Sequence, residues 1–290
     1  MIHYKLFLKN PQSHYIYVDL TIDLISTPII ELQLPAWRPG RYELGNFAKN
    51  VKRVDVFDEN NKPLSYQKST KDLWVIKTNG AKKIKVTYSY HTTEINAGNC
   101  YADETQLYIN PVHLCMFVPN RMNEEHTVEL DIPASYKVAT SLKKEKNNYV
   151  AASFDELADS PIMASTKLQS DFYEVNGIKF WLHFVGECKP DFEKYKTDFI
   201  KFTKTQLNFW NGIPTNEYHF MFQILPFKFY HGVEHLKSTV VAIGPGYNVN
   251  KGKTYEDILG VSCHELFHTW NIKYIRTVEM LPYDFSKENY

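Results

Sequence analysis

Little in these 290 residues points to a disulfide scaffold, a membrane span or a polyanionic partner. The four cysteines, Cys100, Cys115, Cys188 and Cys263, include no C-x-x-C pair. That excludes the dense frameworks of small secreted domains and paired-thiolate zinc sites. Cys100 and Cys115 could meet across a hairpin, but scattered thiols suit a reducing compartment. Lys plus Arg and Asp plus Glu number 33 each, so the formal net charge is zero and nothing electrostatic favours nucleic acid or an anionic membrane. No uncharged apolar run approaches the roughly 18 residues of a membrane-spanning helix. The opening Met1-Ile2-His3-Tyr4-Lys5 lacks the apolar stretch and cleavage site of a signal peptide. A cytoplasmic protein is expected; a secreted or periplasmic chain already trimmed of its signal would look the same.

Aromatic surface is plentiful, with 20 Tyr and 18 Phe, which suits strands and wide pockets. The length allows two cores. Residues 14–25 alternate with period two around Ile16, Val18, Leu20, Ile22 and Leu24. Similar runs occur at 29–34, 51–57, 72–78, 82–90, 106–109, 126–132 and 149–154, with turn signals such as Asn79-Gly80 between them. No helical period of useful length interrupts them. The pattern predicts an all-β, sandwich-like or open-barrel domain over residues 1–165. Within it, Leu34-Pro35-Ala36-Trp37-Arg38-Pro39-Gly40-Arg41-Tyr42 is a strand end entering a rigid turn, read as a Trp-anchored corner in preference to a substrate contact. The texture changes around Asp155-Glu-Leu-Ala-Asp159-Ser160-Pro161.

Residues 166–290 mix both periods, so the whole chain is expected to be α+β. After strand-like runs at 172–175 and 178–185, Pro190-Asp191 opens a helix with Phe192, Tyr195, Phe199 and Phe202 on one face, and Asn211-Gly212 closes it. Tyr218 to Ile224 alternates as a strand, and Tyr230-His231-Gly232-Val233-Glu234-His235 reads as extended. A last helix, with Thr254 as its expected cap, carries His264-Glu265-Leu266-Phe267-His268. Two imidazoles at i and i+4 lie about 6 Å apart on one helical face, close enough to share one zinc. Glu265 can then stand beside the metal as a general base. An ordinary buried helix with two satisfied histidines would carry the same letters. Cys263 points about 100° away from its neighbour and reads as a packed thiol. His231 and His235 share that spacing, but on a strand they lie about 13 Å apart and cannot chelate one ion. Gly232 and Glu234 take the opposite face, which either meets solvent or borders a cleft.

Gly232-Val233-Glu234-His235, His264 through Lys273, and Pro282 through Tyr290 resemble the glycyl aminopeptidase family of gluzincin metallopeptidases. Leu34 through Gly40, Asn46-Phe47-Ala48, and Asp155-x-Leu-x-Asp159-Ser160-Pro161 are similar to that family's N-terminal domain. The resemblance implies a zinc aminopeptidase acting on peptides with a free, small N-terminal residue such as glycine. It implies a β-rich domain ahead of a thermolysin-like catalytic subdomain cut short at its C-terminus. The metal would be held by His264 and His268, with Glu265 as catalytic base. The substrate's free amine would meet Glu234 in a Gly-x-x-Glu-type strand, with Gly232 and Val233 as its neighbours in substrate binding. His235, on the other face, is expected to tolerate alanine better.

The family takes its third zinc ligand from a Glu about thirty residues past the second His, which places it beyond residue 290. Glu288, twenty positions after His268, is the alternative. The family also continues into a helical subdomain and a PDZ-like domain, so the chain resembles the front part of a longer enzyme. Two other readings stay open: a thermolysin-like endopeptidase with the same metal and base, and a non-catalytic binding protein that kept the fold.

Overall fold

The computed structural model describes residues 1–288. In the first half a seven-stranded sheet runs, in spatial order, Lys143–Glu145, Asn148–Ala151, His126–Asp131, Ile2–Phe7, Tyr15–Asp23, Lys83–His91 and Val51–Asp58. Its pairings are antiparallel except for Ile2–Phe7 against His126–Asp131. Period-two alternation does the folding work: Ile16, Val18, Leu20 and Ile22 turn inward from Tyr15–Asp23, with polar or half-buried neighbours between them. A three-stranded sheet (Ile29–Gln33, Leu73–Lys77, Tyr66–Thr70) and a four-stranded one (Lys137–Thr140, Ile162–Ser165, Gln106–Ile109, Tyr101–Ala102) complete this unit. Residues from all three sheets share one apolar core.

The second half is built on a five-stranded sheet in the order Gln169–Val175, Ile178–Gly186, Glu217–Ile224, Ser238–Gly244, Phe229–Glu234. The last strand in this order is an edge, because Ser238–Gly244 comes back between it and Glu217–Ile224. One face of the sheet packs under two helices, Phe192–Trp210 and Gly252–His268, through Phe180, Phe184, Phe199, Phe220 and Leu266. The opposite face puts Met221, Val233, Val240 and Ala242 against Tyr108, Ala139 and Met163 of the first unit. The sheet is therefore covered on both sides, and its central strands are buried on both faces. The first helix is capped as its sequence suggests: Asp191 accepts from the Lys194 N–H and Asn211 ends it in the left-handed region. The second starts earlier than expected. It opens after Lys251 with no side-chain cap, and Thr254 is buried within its first turn.

The chain then returns to where it began. Tyr283 and Phe285 enter the core of the first unit, with Phe285 and Tyr283 rings 5.7 and 5.6 Å from Trp37. Trp37 Nε1–H donates to the Asp284 carbonyl at 2.7 Å, and Ala36 N–H to that of Phe285 at 2.7 Å. All four cysteines are free thiols; Cys100 bonds to the Asn110 backbone and not to Cys115. No helix among the described residues is long and apolar enough to cross a membrane.

Candidate active site

The helix Gly252–His268 ends in a widened π-type turn, Thr269–Tyr274, and the two imidazoles sit at this junction. His264 Nε2 and His268 Nε2 lie 3.1 Å apart, with ring centres 4.7 Å apart and planes at 87°. A second pair, His183 and His219, makes a useful contrast: nitrogens 3.0 Å apart, centres 5.3 Å apart, planes within 9°. In the His183–His219 pair the nitrogens lie on the line joining two coplanar rings, which is a plain N–H···N hydrogen bond. For His264 and His268 the centres are closer and the planes crossed, and two nitrogens at this separation can be ligands of one metal. His268 Nδ1–H donates to the Asn271 carbonyl at 2.8 Å, which assigns the ring's proton to Nδ1 and frees Nε2. Asn271 can offer that carbonyl because its backbone leaves the helical region (φ −114°, ψ 96°).

The donor set is incomplete. Among the described residues no three His, Cys, Asp or Glu side chains converge. Glu288, the alternative third ligand, borders a shallow cleft with Gln33, Thr70 and Asp72 on the first unit, so the docking of Tyr283 and Phe285 carries it elsewhere. Asn289 and Tyr290 lie outside the described residues. Two imidazoles with nitrogens 3.1 Å apart, beside a buried carboxylate, nonetheless fit a zinc site whose remaining ligand comes from other residues.

Glu265 is 6% exposed. Burial, reinforced by the charge of Glu234 and partly offset by Arg38, pushes its carboxyl up to about 8. Space for it exists because Gly232 has no side chain. A Cβ there would overlap Glu265 Oε1 and stand 2.7 Å from Val261 Cγ2. Gly232 and Glu234 thus face the histidine helix together. Glu234 is half-buried and lies over Gly40, whose φ of +92° and bare Cα admit the carboxylate. Glu234 joins none of the ion pairs among the described residues. The Trp37 corner is thus an anchor, as its sequence suggests, and its turn also forms one wall of the site.

Val233 does not fit the substrate-binding role expected for it. Period two turns its side chain, fully buried, into the core between the units, and its carbonyl accepts the Thr239 hydroxyl at 3.0 Å. The bond from His235 N–H to the Ser238 carbonyl sets the pairing phase, so Gly232 and Glu234 direct their backbone groups to the open edge. His235 also departs from expectation. It lies on the opposite face, but it is 3% exposed and its Nδ1 bonds to Asp159 Oδ1 at 3.0 Å, so alanine would leave a buried carboxylate short of a donor. His231 faces Gly98 and the Arg38 guanidinium instead, so the two histidines share no ligand.

Sequence reasoning missed Arg38, Gly40, Asp159 and Lys273 as members of this region. Each stood inside a segment already singled out, but nothing local in sequence joins positions so far apart.

The sequence profile of the Peptidase M61 N-terminal domain matches residues 3–166, and that of M61 glycyl aminopeptidase matches residues 257–290. No curated protein sequence matches the chain. Among solved structures it is similar to an aminopeptidase N family protein from Idiomarina loihiensis, at 26% identity and a TM-score of 0.92, covering 100% of this chain and 51% of that one. It also shares its fold with an M1 zinc metallopeptidase from Deinococcus radiodurans, at 11% identity and a TM-score of 0.50, covering 93% of this chain and 63% of that one. The chain therefore spans about half the length of the Idiomarina protein. With one profile over more than half its length and the second over its histidine helix, the chain belongs to the M61 glycyl aminopeptidase family.

Proposed function

We propose that the protein is a zinc-dependent aminopeptidase that releases small N-terminal residues, of the glycine type, from peptides. The observation that carries this reading is the placement of Glu265 against the bare Gly232 and of Glu234 over the bare Gly40, beside two imidazoles whose Nε2 atoms lie 3.1 Å apart. His264, His268 and a third carboxylate from beyond residue 290 would hold the zinc. When bound, zinc supplies Lewis acidity toward a water and the scissile carbonyl. Glu265 takes the proton of the attacking water and passes it to the leaving amine. Glu234, in no ion pair among the described residues, accepts the substrate's α-ammonium and so fixes where the peptide must begin. The open edge at Gly232 and Glu234 offers backbone groups to an extended substrate. Residues 1–165 would form one domain and residues 166–290 the front of the catalytic one.

The test is Glu234→Ala in the full-length protein. An ammonium–carboxylate contact is worth about 1.5–3 kcal/mol, or roughly ten- to a hundredfold in kcat/KM. Hydrolysis of free-amine glycyl substrates should fall by that much, while slow cleavage of N-acetylated peptides stays level. Wild-type enzyme that cleaves blocked peptides as fast as free ones would replace this reading with an endopeptidase.

A further inference from the structure

Asp159 follows the short helix Phe154–Ala158 of the first unit, and its carboxylate is bonded to the second unit by three groups. Oδ1 accepts from His235 Nδ1–H at 3.0 Å and from Lys273 Nζ at 2.6 Å, and Oδ2 accepts the Leu236 N–H at 2.9 Å. His235 and Leu236 directly follow Glu234 in the chain. Lys273 lies in the π-type turn whose Asn271 carbonyl holds His268. One carboxylate from outside the catalytic sheet thus grips both the strand that carries Glu234 and the turn that orients a candidate metal ligand. The grip is dry on the partner side, with side-chain exposures of 4% for His235 and 7% for Lys273. Among the described residues nothing holds the Glu234 carboxylate by a bond, so its direction depends on where its backbone is pinned. The edge strand has only one neighbour to pin it.

We propose that Asp159 is a positioning residue for recognition of the substrate's amine. It touches no substrate; it sets the end of the Phe229–Glu234 strand so that Glu234 points over Gly40 toward the cleft. This assigns a role to the Asp155-x-Leu-x-Asp159 segment and makes the first unit part of the active site. The inference rests on the aminopeptidase reading above.

A purely structural clamp would weaken every property of the site alike. Positioning instead predicts a selective loss, which a pair of inhibitors in the full-length zinc enzyme can read. Glycine hydroxamate carries the amine that Glu234 would meet, and acetohydroxamate lacks it. Asp159→Asn turns one acceptor oxygen into an amide that opposes the Leu236 N–H. If that variant folds poorly, Asp159→Leu combined with Lys273→Met removes both buried charges together, a change often neutral for stability. In either variant the preference for glycine hydroxamate should fall about tenfold, with acetohydroxamate inhibition within about twofold of wild type. Glu156→Gln, which loosens the neighbouring tie to Lys237, should keep the preference. Equal weakening of both inhibitors, or an intact preference, overturns the role of Asp159 alone. A wild-type enzyme with no preference removes the aminopeptidase reading and this inference with it.

Discussion

Glu265 and Gly232 form a pair in which one residue's function depends on the other's lack of a side chain. Glu265→Gln keeps the volume and loses the base, so in the zinc-loaded full-length enzyme turnover should drop by about 10²–10⁴-fold with zinc content unchanged. Gly232→Ala does the reverse. The backbone there needs no positive φ, but the new methyl would collide with the Glu265 carboxylate and Val261. Overpacking of this kind costs about 1–3 kcal/mol. We expect a modest fall in melting temperature together with at least tenfold lower activity, since the base must turn aside. Full activity in Gly232→Ala would mean that Glu265 occupies another position during catalysis. His264, Glu265 and His268 could be found from spacing alone because a helix brings i and i+4 together without help. The members contributed by Arg38, Gly40 and Asp159 could not, because they reach the site only through sheet-on-sheet packing.

At the scale of elements, the histidine helix depends on the turn that follows it. Trp270 is 3% exposed, stacks on Trp210 with centres 5.9 Å apart, and donates Nε1–H to the Gly212 carbonyl at 3.0 Å. It thereby ties the end of one helix to the end of the other, and Asn271 beside it holds His268. Trp270→Ala should cost about 3–5 kcal/mol in a denaturant titration. In the full-length protein it should also weaken zinc by roughly ten- to a hundredfold, the usual effect of losing support behind a ligand. A variant with normal metal affinity would detach the turn from the ligand geometry. The strands that were legible in sequence, such as Tyr15–Asp23 and Lys83–His91, are long and alternate cleanly. Ile2–Phe7 was not identified, since six residues with His and Lys between the apolar ones carry a weak signal, and their parallel partner lies over a hundred residues away. Ser238–Gly244 was missed for the opposite reason: it is buried on both faces and shows no alternation.

Over the whole molecule, buried imidazoles set the response to acid. Burial, which disfavours the charged ring, lowers His113 and His183 to about 3 and His126 to about 4. Unfolded, each would protonate near 6.5, so between those limits the unfolded chain binds more protons and stability falls as pH drops. Glu265, held protonated up to about 8 in the fold, opposes them by one proton. That leaves a net uptake of about two protons on unfolding between pH 5 and 6. Thermal melts of the 290-residue chain should therefore shift clearly downward from pH 7 to pH 5, whereas superimposable curves would show that these rings are hydrated or already charged. The α+β class was legible in sequence. That the two units share a face, and that Tyr283 and Phe285 return to pack on Trp37, was not. Neither follows from periodicity.

That closure gives the polypeptide the logic of a clasp. Tyr283 and Phe285 fasten beside Trp37, so this stretch is knitted into the first unit and the crossing near Thr166 and Lys167, both exposed, is one of several joints between the units. Severing one joint of a ring does not release its halves. Segments 1–166 and 167–290, produced as separate polypeptides in one cell, should find each other and purify as a single species. The same experiment with Tyr283→Ser and Phe285→Ser loosens the clasp and should lower the yield of the paired species, the Asp159 bonds and the shared apolar face still holding the rest.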